Sequence, residues 1–221
     1  MTTGRNLKTR LKTARGRTVS SQRWLERQLN DPYVQKARQE GWRARSVFKL
    51  QELDERFALL KRGARVLDLG AAPGSWSQYA ARKGCRVVAV DLQPVAALAG
   101  VELIEGDFLD PLVQAELRAR LGGPADLVLS DMAASATGQR AVDRLRAEGL
   151  GEAVLDFATE ILAPGGACAL KLVKGGEAVL MARAQTGFAS AKVVRPKATR
   201  ADSSEVFLVA RGFKGRADEP A

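Results

Sequence analysis

The chain contains no histidine, so any proton transfer near neutral pH falls to Lys, Asp, Glu, Cys or Tyr. Four side chains have the type and setting for that work. In Ala167-Cys168-Ala169-Leu170-Lys171-Leu172-Val173 a lysine interrupts an apolar strand expected to be covered on both faces. A lone buried ammonium is costly, so Lys171 reads either as half of a structural ion pair or as a base at a cleft. Lys49 falls on an expected helix about 40° from Leu53, at the margin of its buried stripe. There its stem can be covered while its amine reaches a cleft, although a boundary lysine commonly only snorkels. Asp131 follows Leu127-Val128-Leu129-Ser130, at the carboxyl end of an expected strand, where doubly wound sheets put their ligands. It reads also as a turn-forming Asp. Glu205 opens the last apolar run after Asp202-Ser203-Ser204, and by itself it is a solvated strand start.

The segment Val66-Leu67-Asp68-Leu69-Gly70-Ala71-Ala72-Pro73-Gly74-Ser75-Trp76 reads as a buried strand, a glycine-rich turn and a helix opening at Ser75. Small residues let backbone approach a ligand, and a helix N-terminus offers unpaired N–H groups to it. A dinucleotide turn wants G-x-G-x-x-G, but counting from Gly70 the second and third glycine positions hold Ala72 and Ser75. The spacing Asp-Leu-Gly-x-x-Pro-Gly instead resembles the S-adenosylmethionine turn of class I methyltransferases. Asp91 closes the next strand, Arg86-Val87-Val88-Ala89-Val90-Asp91, where an acid can hold both ribose hydroxyls. An ordinary strand-to-helix loop is the other reading of this segment.

The elements that must position these residues follow from periodicity. Leu50, Leu53, Phe57 and Leu60 recur at three- and four-residue steps, predicting a helix over 43–60 that Gly63 ends. Alternating elements follow: strand 65–69, helix 75–83, strand 86–91, strand 101–104, helix 110–120, strand 126–130, helix 140–162 and strand 167–173. Such alternation predicts an α/β fold with a mostly parallel sheet and helices on both faces. Residues 191–195 and 205–211 are two β-rich runs joined by a polar loop, an expected antiparallel pair at the end of the sheet.

With 221 residues and 46% hydrophobic content, the chain is expected to build one domain over 23–213, with a basic, disordered N-terminal arm over 1–22 and a tail over 214–221. Charge is uneven: residues 1–45 hold twelve Lys or Arg against three Asp or Glu, a net +9 of the total +10. A polyanionic partner or a merely solvated arm would both account for this. No apolar run approaches a membrane span or a signal-peptide core. The acid-free residues 1–25 leave a mitochondrial presequence open, but Leu7, Leu11 and Val19 make a poor apolar face, and a cytoplasmic protein is expected. Cys85 and Cys168 lie far apart with no histidine available, so each is expected as a buried thiol and no metal site is expected.

Over residues 42–213 the chain closely resembles the FtsJ-like ribosomal RNA 2′-O-methyltransferases. The resemblance is carried by Arg45-Ser46-Val47-Phe48-Lys49-Leu50, by Asp68 to Gln78, by Gly106-Asp107-Phe108, Ser130-Asp131-Met132-Ala133 and Leu162-Ala163-Pro164-Gly165-Gly166, and by Leu170-Lys171-Leu172 and Ser204-Glu205-Val206-Phe207. It implies a single class I methyltransferase domain of seven strands. It implies further that Lys49, Asp131, Lys171 and Glu205 are a catalytic tetrad, and that Gly74, Trp76, Asp91, Asp107 and Asp131 contact S-adenosylmethionine. Three positions depart from the family pattern: Ser75 stands where many members have glycine, Ala134 where they have proline, and Lys174 where a smaller or amide residue is common.

By that resemblance the protein is a monomeric enzyme that methylates a uridine 2′-hydroxyl of large-subunit ribosomal RNA, at the peptidyl transferase centre, with Lys171 as general base. A lysine must be neutral to act so. A neighbouring ammonium favours loss of its proton, while neighbouring carboxylates oppose that loss and fix its position. A 2′-hydroxyl target means RNA, read largely through shape and phosphates. Methylation of another RNA such as tRNA, and a non-catalytic RNA-binding assembly factor on the same scaffold, are the alternative functions.

Overall fold

The apolar runs become strands because both faces of the sheet are covered. The structure is a computed structural model that describes residues 29–135 and 137–216, together with Thr18, Gln22, Leu25 and Glu26. Most of the arm expected over 1–22, and residues 217–221 of the tail, lie outside the described residues. The strands are β1 (Arg65–Leu69), β2 (Arg86–Asp91), β3 (Val101–Glu105), β4 (Ala125–Ser130), β5 (Leu162–Val173), β6 (Phe188–Val194) and β7 (Glu205–Phe213). They form one sheet in the order β3-β2-β1-β4-β5-β7-β6. β1 to β5 are mutually parallel, and β7 runs antiparallel to both β5 and β6. This is the expected seven-stranded α/β architecture.

Alternate residues of each strand face opposite layers, as a pleat requires. Leu67, Leu69, Val88, Val128, Leu170 and Leu208 pack under the helices α4 (Pro111–Leu121), α5 (Arg140–Ile161) and α6 (Ala178–Gly187). Val66, Val87, Leu129, Ala169 and Phe207 face α2 (Val47–Phe57) and α3 (Ser75–Arg82) on the other side. A short α1 (Pro32–Gln39) precedes them, capped by Asp31, whose side chain accepts from the Tyr33 N–H, with proline in its first turn. Neither α1 nor α6 is among the elements expected from periodicity. The pair Asp31-Pro32 is a helix-start signal, whereas α6 has no strong apolar stripe to announce it.

The helix expected over 43–60 is shorter. It opens at Val47 and stops at Phe57, because Ala58 takes a left-handed conformation and Leu60 N–H turns back to the Asp54 carboxylate at 2.8 Å. Strand β5 begins at Leu162 rather than 167: Leu162 pairs with Ala125, and a register shift between Ala125 and Leu127 absorbs the Pro164-Gly165-Gly166 turn. β6 starts three residues before the expected 191. Cys85 and Cys168 are free and buried.

A strand carboxyl lies inside the layers. Asp68 on β1 is 1% exposed. Its Oδ2 accepts from Ser77 Oγ at 2.5 Å, and its Oδ1 has no partner. Burial raises this carboxyl to about 7 against the opposing Ser77 hydrogen bond, and the charges of Asp131 and Asp91 add to the rise. A folded pKa above the ordinary 3.8 means that the fold takes up a proton there. Its contribution to stability is complete below about pH 3.8 and is lost as pH rises through about 7. Asp68→Asn should therefore flatten the stability–pH curve between pH 4 and 7 relative to wild type, measured as denaturant midpoints across that range. Parallel curves would mean that the carboxyl is already ionised in the folded protein.

Candidate active site

Strand pairing brings the four candidate side chains together. Lys171 on β5 sits opposite Phe207 of β7, so Glu205, two residues earlier on β7, is its diagonal neighbour on the same face. Ser130 of β4 pairs with Leu170 of β5, which puts Asp131 beside Lys171. Helix α2 lies across this face and lowers Lys49 onto the Phe207 ring, Nζ 5.5 Å from its centroid. Lys49 Nζ then donates to Glu205 Oε2 at 2.9 Å and to Asp131 Oδ1 at 3.4 Å. Lys171 Nζ lies 3.2 Å from Asp131 Oδ1 and 3.9 Å from Glu205 Oε1, and donates to the Asp131 carbonyl at 2.5 Å.

The result is a closed ring in which cations and anions alternate. Lys49 is buried, Lys171 and Asp131 nearly so, and the Glu205 side chain keeps 30% of its surface in solvent. Burial pushes the Glu205 carboxyl up, but the charge and hydrogen bond of Lys49, then Lys171 and Ser203, outweigh it and hold the group below its ordinary value. Two positive and two negative groups cancel, which is the condition under which charges tolerate such burial.

Helix α2 is seated by the start of α3. Trp76 Nε1 donates to the Ser46 carbonyl at 2.8 Å, its ring packs on Phe207 at 5.7 Å between centroids, and Ser46 Oγ meets Ser75 Oγ at 2.7 Å. Arg43 fixes the glycine-rich turn from outside, donating to the carbonyls of Pro73, Ala96 and Ala97 at 2.7–3.1 Å. Sequence reasoning missed this arginine, because in a basic stretch nothing distinguishes it from its neighbours.

Beyond the turn, a cavity of about 850 Å³ opens at the carboxyl ends of β1, β2 and β4 and is lined by Gly70, Asp91, Asp107 and Asp131 among others. Asp91 is held by backbone, accepting from the Ala72 N–H and the Gln93 N–H, each at 2.8 Å. Asp107 accepts from the Leu109 N–H at 2.9 Å. Gly70, at φ +78°, admits no side chain: a Cβ there would lie 2.3 Å from Met132 Cγ. Gly74 and Trp76 stand apart from this lining. Gly74, at φ +99°, caps α3 with Leu98, Arg43 and Val95 close around it, and Trp76 braces α2.

Two further cavities reach the ring. One, of about 620 Å³, lies between α1, α2 and the β6–β7 loop and is lined by Arg38, Arg43, Arg45, Lys49 and Arg200 against Asp202 and Glu205. The other, of about 460 Å³, lies between α5 and the end of β5 and touches Lys171 and Glu205. Among the described residues, no group of three His, Cys, Asp or Glu is arranged to hold a metal ion, and no helix is long and apolar enough to cross a membrane.

A family model described as FtsJ-like methyltransferase matches residues 42–213. Two similar proteins bear the name ribosomal RNA large subunit methyltransferase E. That of Gluconobacter oxydans is 53% identical over 96% of this chain and 80% of its own length. That of Xanthobacter autotrophicus is 53% identical over 97% of this chain and 87% of its own. A crystal structure from Plasmodium falciparum, described as that of a putative ribosomal RNA methyltransferase, superposes with a TM-score of 0.71 at 25% identity, covering 79% of this chain and all of that one. The match spans every element that builds the four-residue ring and the cavity beside it: this chain belongs to the FtsJ-like methyltransferase family.

Proposed function

We propose that the protein methylates a ribose 2′-hydroxyl of a uridine in large-subunit ribosomal RNA, with S-adenosylmethionine as methyl donor and Lys171 as general base. The observation that carries this reading is the ring of Lys49, Asp131, Lys171 and Glu205, which shares Asp131 with an acid-lined cavity. The residues present fit the donor. Asp91, fixed by two backbone N–H groups, offers its remaining lone pairs to a ribose diol, and Asp107 and Asp131 offer carboxylates to the amino groups of the molecule. When bound, S-adenosylmethionine supplies an electrophilic methyl group on a sulfonium.

Lys171, rather than Lys49, suits the role of base, because its amine contacts Asp131 by both the carbonyl and the carboxylate, and Asp131 borders the acid-lined cavity. Its neutral amine takes the hydroxyl proton while Asp131 and Glu205 keep it aimed and Lys49 balances their charge. The transfer is an in-line displacement, so alignment supplies much of the rate. The compartment is that of the ribosome, the cytoplasm, and the enzyme acts as a monomer.

The named relatives support large-subunit ribosomal RNA as substrate, and the charge distribution supports a long phosphate track. Five cations line the cavity between α1 and α2 against two carboxylates, and three of them, Arg38, Arg43 and Arg45, belong to the first 45 residues, which carry a net +9. We propose that the basic arm neutralises phosphates without reading bases.

Three outcomes test this reading. Lys171→Ala should lower transfer to large ribosomal subunits by at least about a hundredfold while calorimetry shows near-native cofactor affinity, and wild-type turnover would remove Lys171 from the mechanism. Asp91→Ala should weaken S-adenosylmethionine by about 1–3 kcal/mol, as for a lost charge-assisted hydrogen bond. Unchanged affinity would place the ribose elsewhere. Deleting residues 1–20 should raise KM for particles, leave kcat nearly unchanged and flatten the dependence of log affinity on log salt. Identical salt slopes would mean that the arm does not meet RNA. Mapping of ribose methylation in cells with and without the protein reads out the nucleotide directly, and a methyl lost only from tRNA would replace the ribosomal substrate.

A further inference from the structure

The three cavities that meet at the ring differ in chemistry, and an acceptor nucleotide has one part for each of the two that the cofactor leaves over. The acid-lined cavity serves the methyl donor, and the one lined by Arg38, Arg43, Arg45 and Arg200 suits phosphates. The remaining cavity, of about 460 Å³, is walled mainly by carbon: Met132, Ala147, Leu150, Val154 and Leu172 surround it, and it opens onto Lys171 and Glu205. A base is joined to C1′, the carbon next to the one bearing the 2′-hydroxyl. Wherever Lys171 meets that hydroxyl, the base must lie within a few ångströms of it.

We propose that the cavity between α5 and the carboxyl end of β5 holds the base of the acceptor nucleotide, swung out of its stack. The proposal rests on the preceding reading that the acceptor is an RNA ribose. A base has apolar faces and a polar edge, and the cavity has the same division. Asp143 is committed to Thr137 and Gly138, and Arg144 to Glu148 and the Gly175 carbonyl. Lys174 and Ser204 border the cavity, and their side chains make no hydrogen bond or ion pair among the described residues. An ammonium only donates, so Lys174 suits a carbonyl oxygen on the base edge.

Helix α5 makes the partition between base and cofactor. Leu150 borders both cavities, Gly149 lies on the cofactor side and Gly151 on the base side. At Gly151 a Cβ would come within 2.9 Å of Leu180 and 3.0 Å of Leu172, so glycine there lets the helix close on the floor of the cavity.

Ala147→Phe fills the cavity from α5, and Lys174→Met removes its uncommitted donor. Both are compared with wild type on ribosomal RNA particles carrying an intact acceptor nucleotide or an abasic ribose at the same position, with cofactor affinity by calorimetry as the check on folding. Wild type should lose more than about tenfold in kcat/KM when the base is removed. Ala147→Phe should lose that factor on the intact substrate and show no further loss on the abasic one. Lys174→Met should lose a smaller factor, on the intact substrate alone. Wild type that methylates the abasic ribose as well as the intact nucleotide would overturn the proposal, as would Ala147→Phe that binds cofactor and turns over normally. Should Ala147→Phe fail to bind cofactor, Lys174→Met with the wild-type ratio between the two substrates would overturn it. Wild type that puts no methyl on any ribose refutes the underlying reading and this one together.

Discussion

Two ammonium groups stand side by side under a helix, and everything around them answers that constraint. Neither Lys49 nor Lys171 can be buried alone, and pairing one with a single carboxylate would still leave the other exposed to repulsion. The alternating ring with Asp131 and Glu205 balances both. It also dictates which elements must converge: the carboxyl ends of β4 and β5, the start of β7 and the first turn of α2. An antiparallel β7 is what makes the ring possible, since it returns Glu205 to the carboxyl end of the sheet, diagonal to Lys171. Trp76 and Ser46 then fix the height of α2, on which the Lys49 contacts of 2.9 and 3.4 Å depend.

Much of this was legible in the residues. A lysine inside an apolar strand demanded a partner, and the glycine-rich turn with an acid at the end of the next strand marked residues that line the cavity of about 850 Å³. The seven strands were placed to within a few residues. What periodicity could not supply was the partner list. Glu205 reads as a solvated strand start until β7 is paired with β5, and Lys49 reads as a snorkelling side chain until α2 is laid across Phe207. Long-range register is set by tertiary packing that no local window contains. Helix α1 carries a local start signal in Asp31-Pro32 but is too short for a clear period, and the apolar residues of α6 form no clear stripe.

Asp91 and Trp76 show how one resemblance covers two kinds of role. Asp91 faces the acid-lined cavity with its oxygens partly anchored by backbone. Trp76 is 3% exposed and spends its indole N–H on Ser46, so its side chain in this structure supports the ring rather than the cavity. Gly74 behaves similarly, with a left-handed φ that opens α3 and side chains crowded where a Cβ would stand. Residues of one motif thus divide into those that face the cavity and those that hold its wall.

The three positions that the resemblance marks as unlike the FtsJ-like pattern fall beside the site. Ser75 exchanges a hydrogen bond with Ser46 beneath α2, a contact glycine could not make. Ala134 borders both the acid-lined and the apolar cavity, and Lys174 borders the apolar one. Loss of any one charge from the ring leaves its two neighbours each short of a partner, so it is the part of the site least free to vary. The walls around it carry no such penalty. Changes at Ala134 and Lys174 alter the shape and the donors of these walls while leaving the four charges and their contacts in place, and this separates the charge balance of the ring from the shape of the cavities beside it.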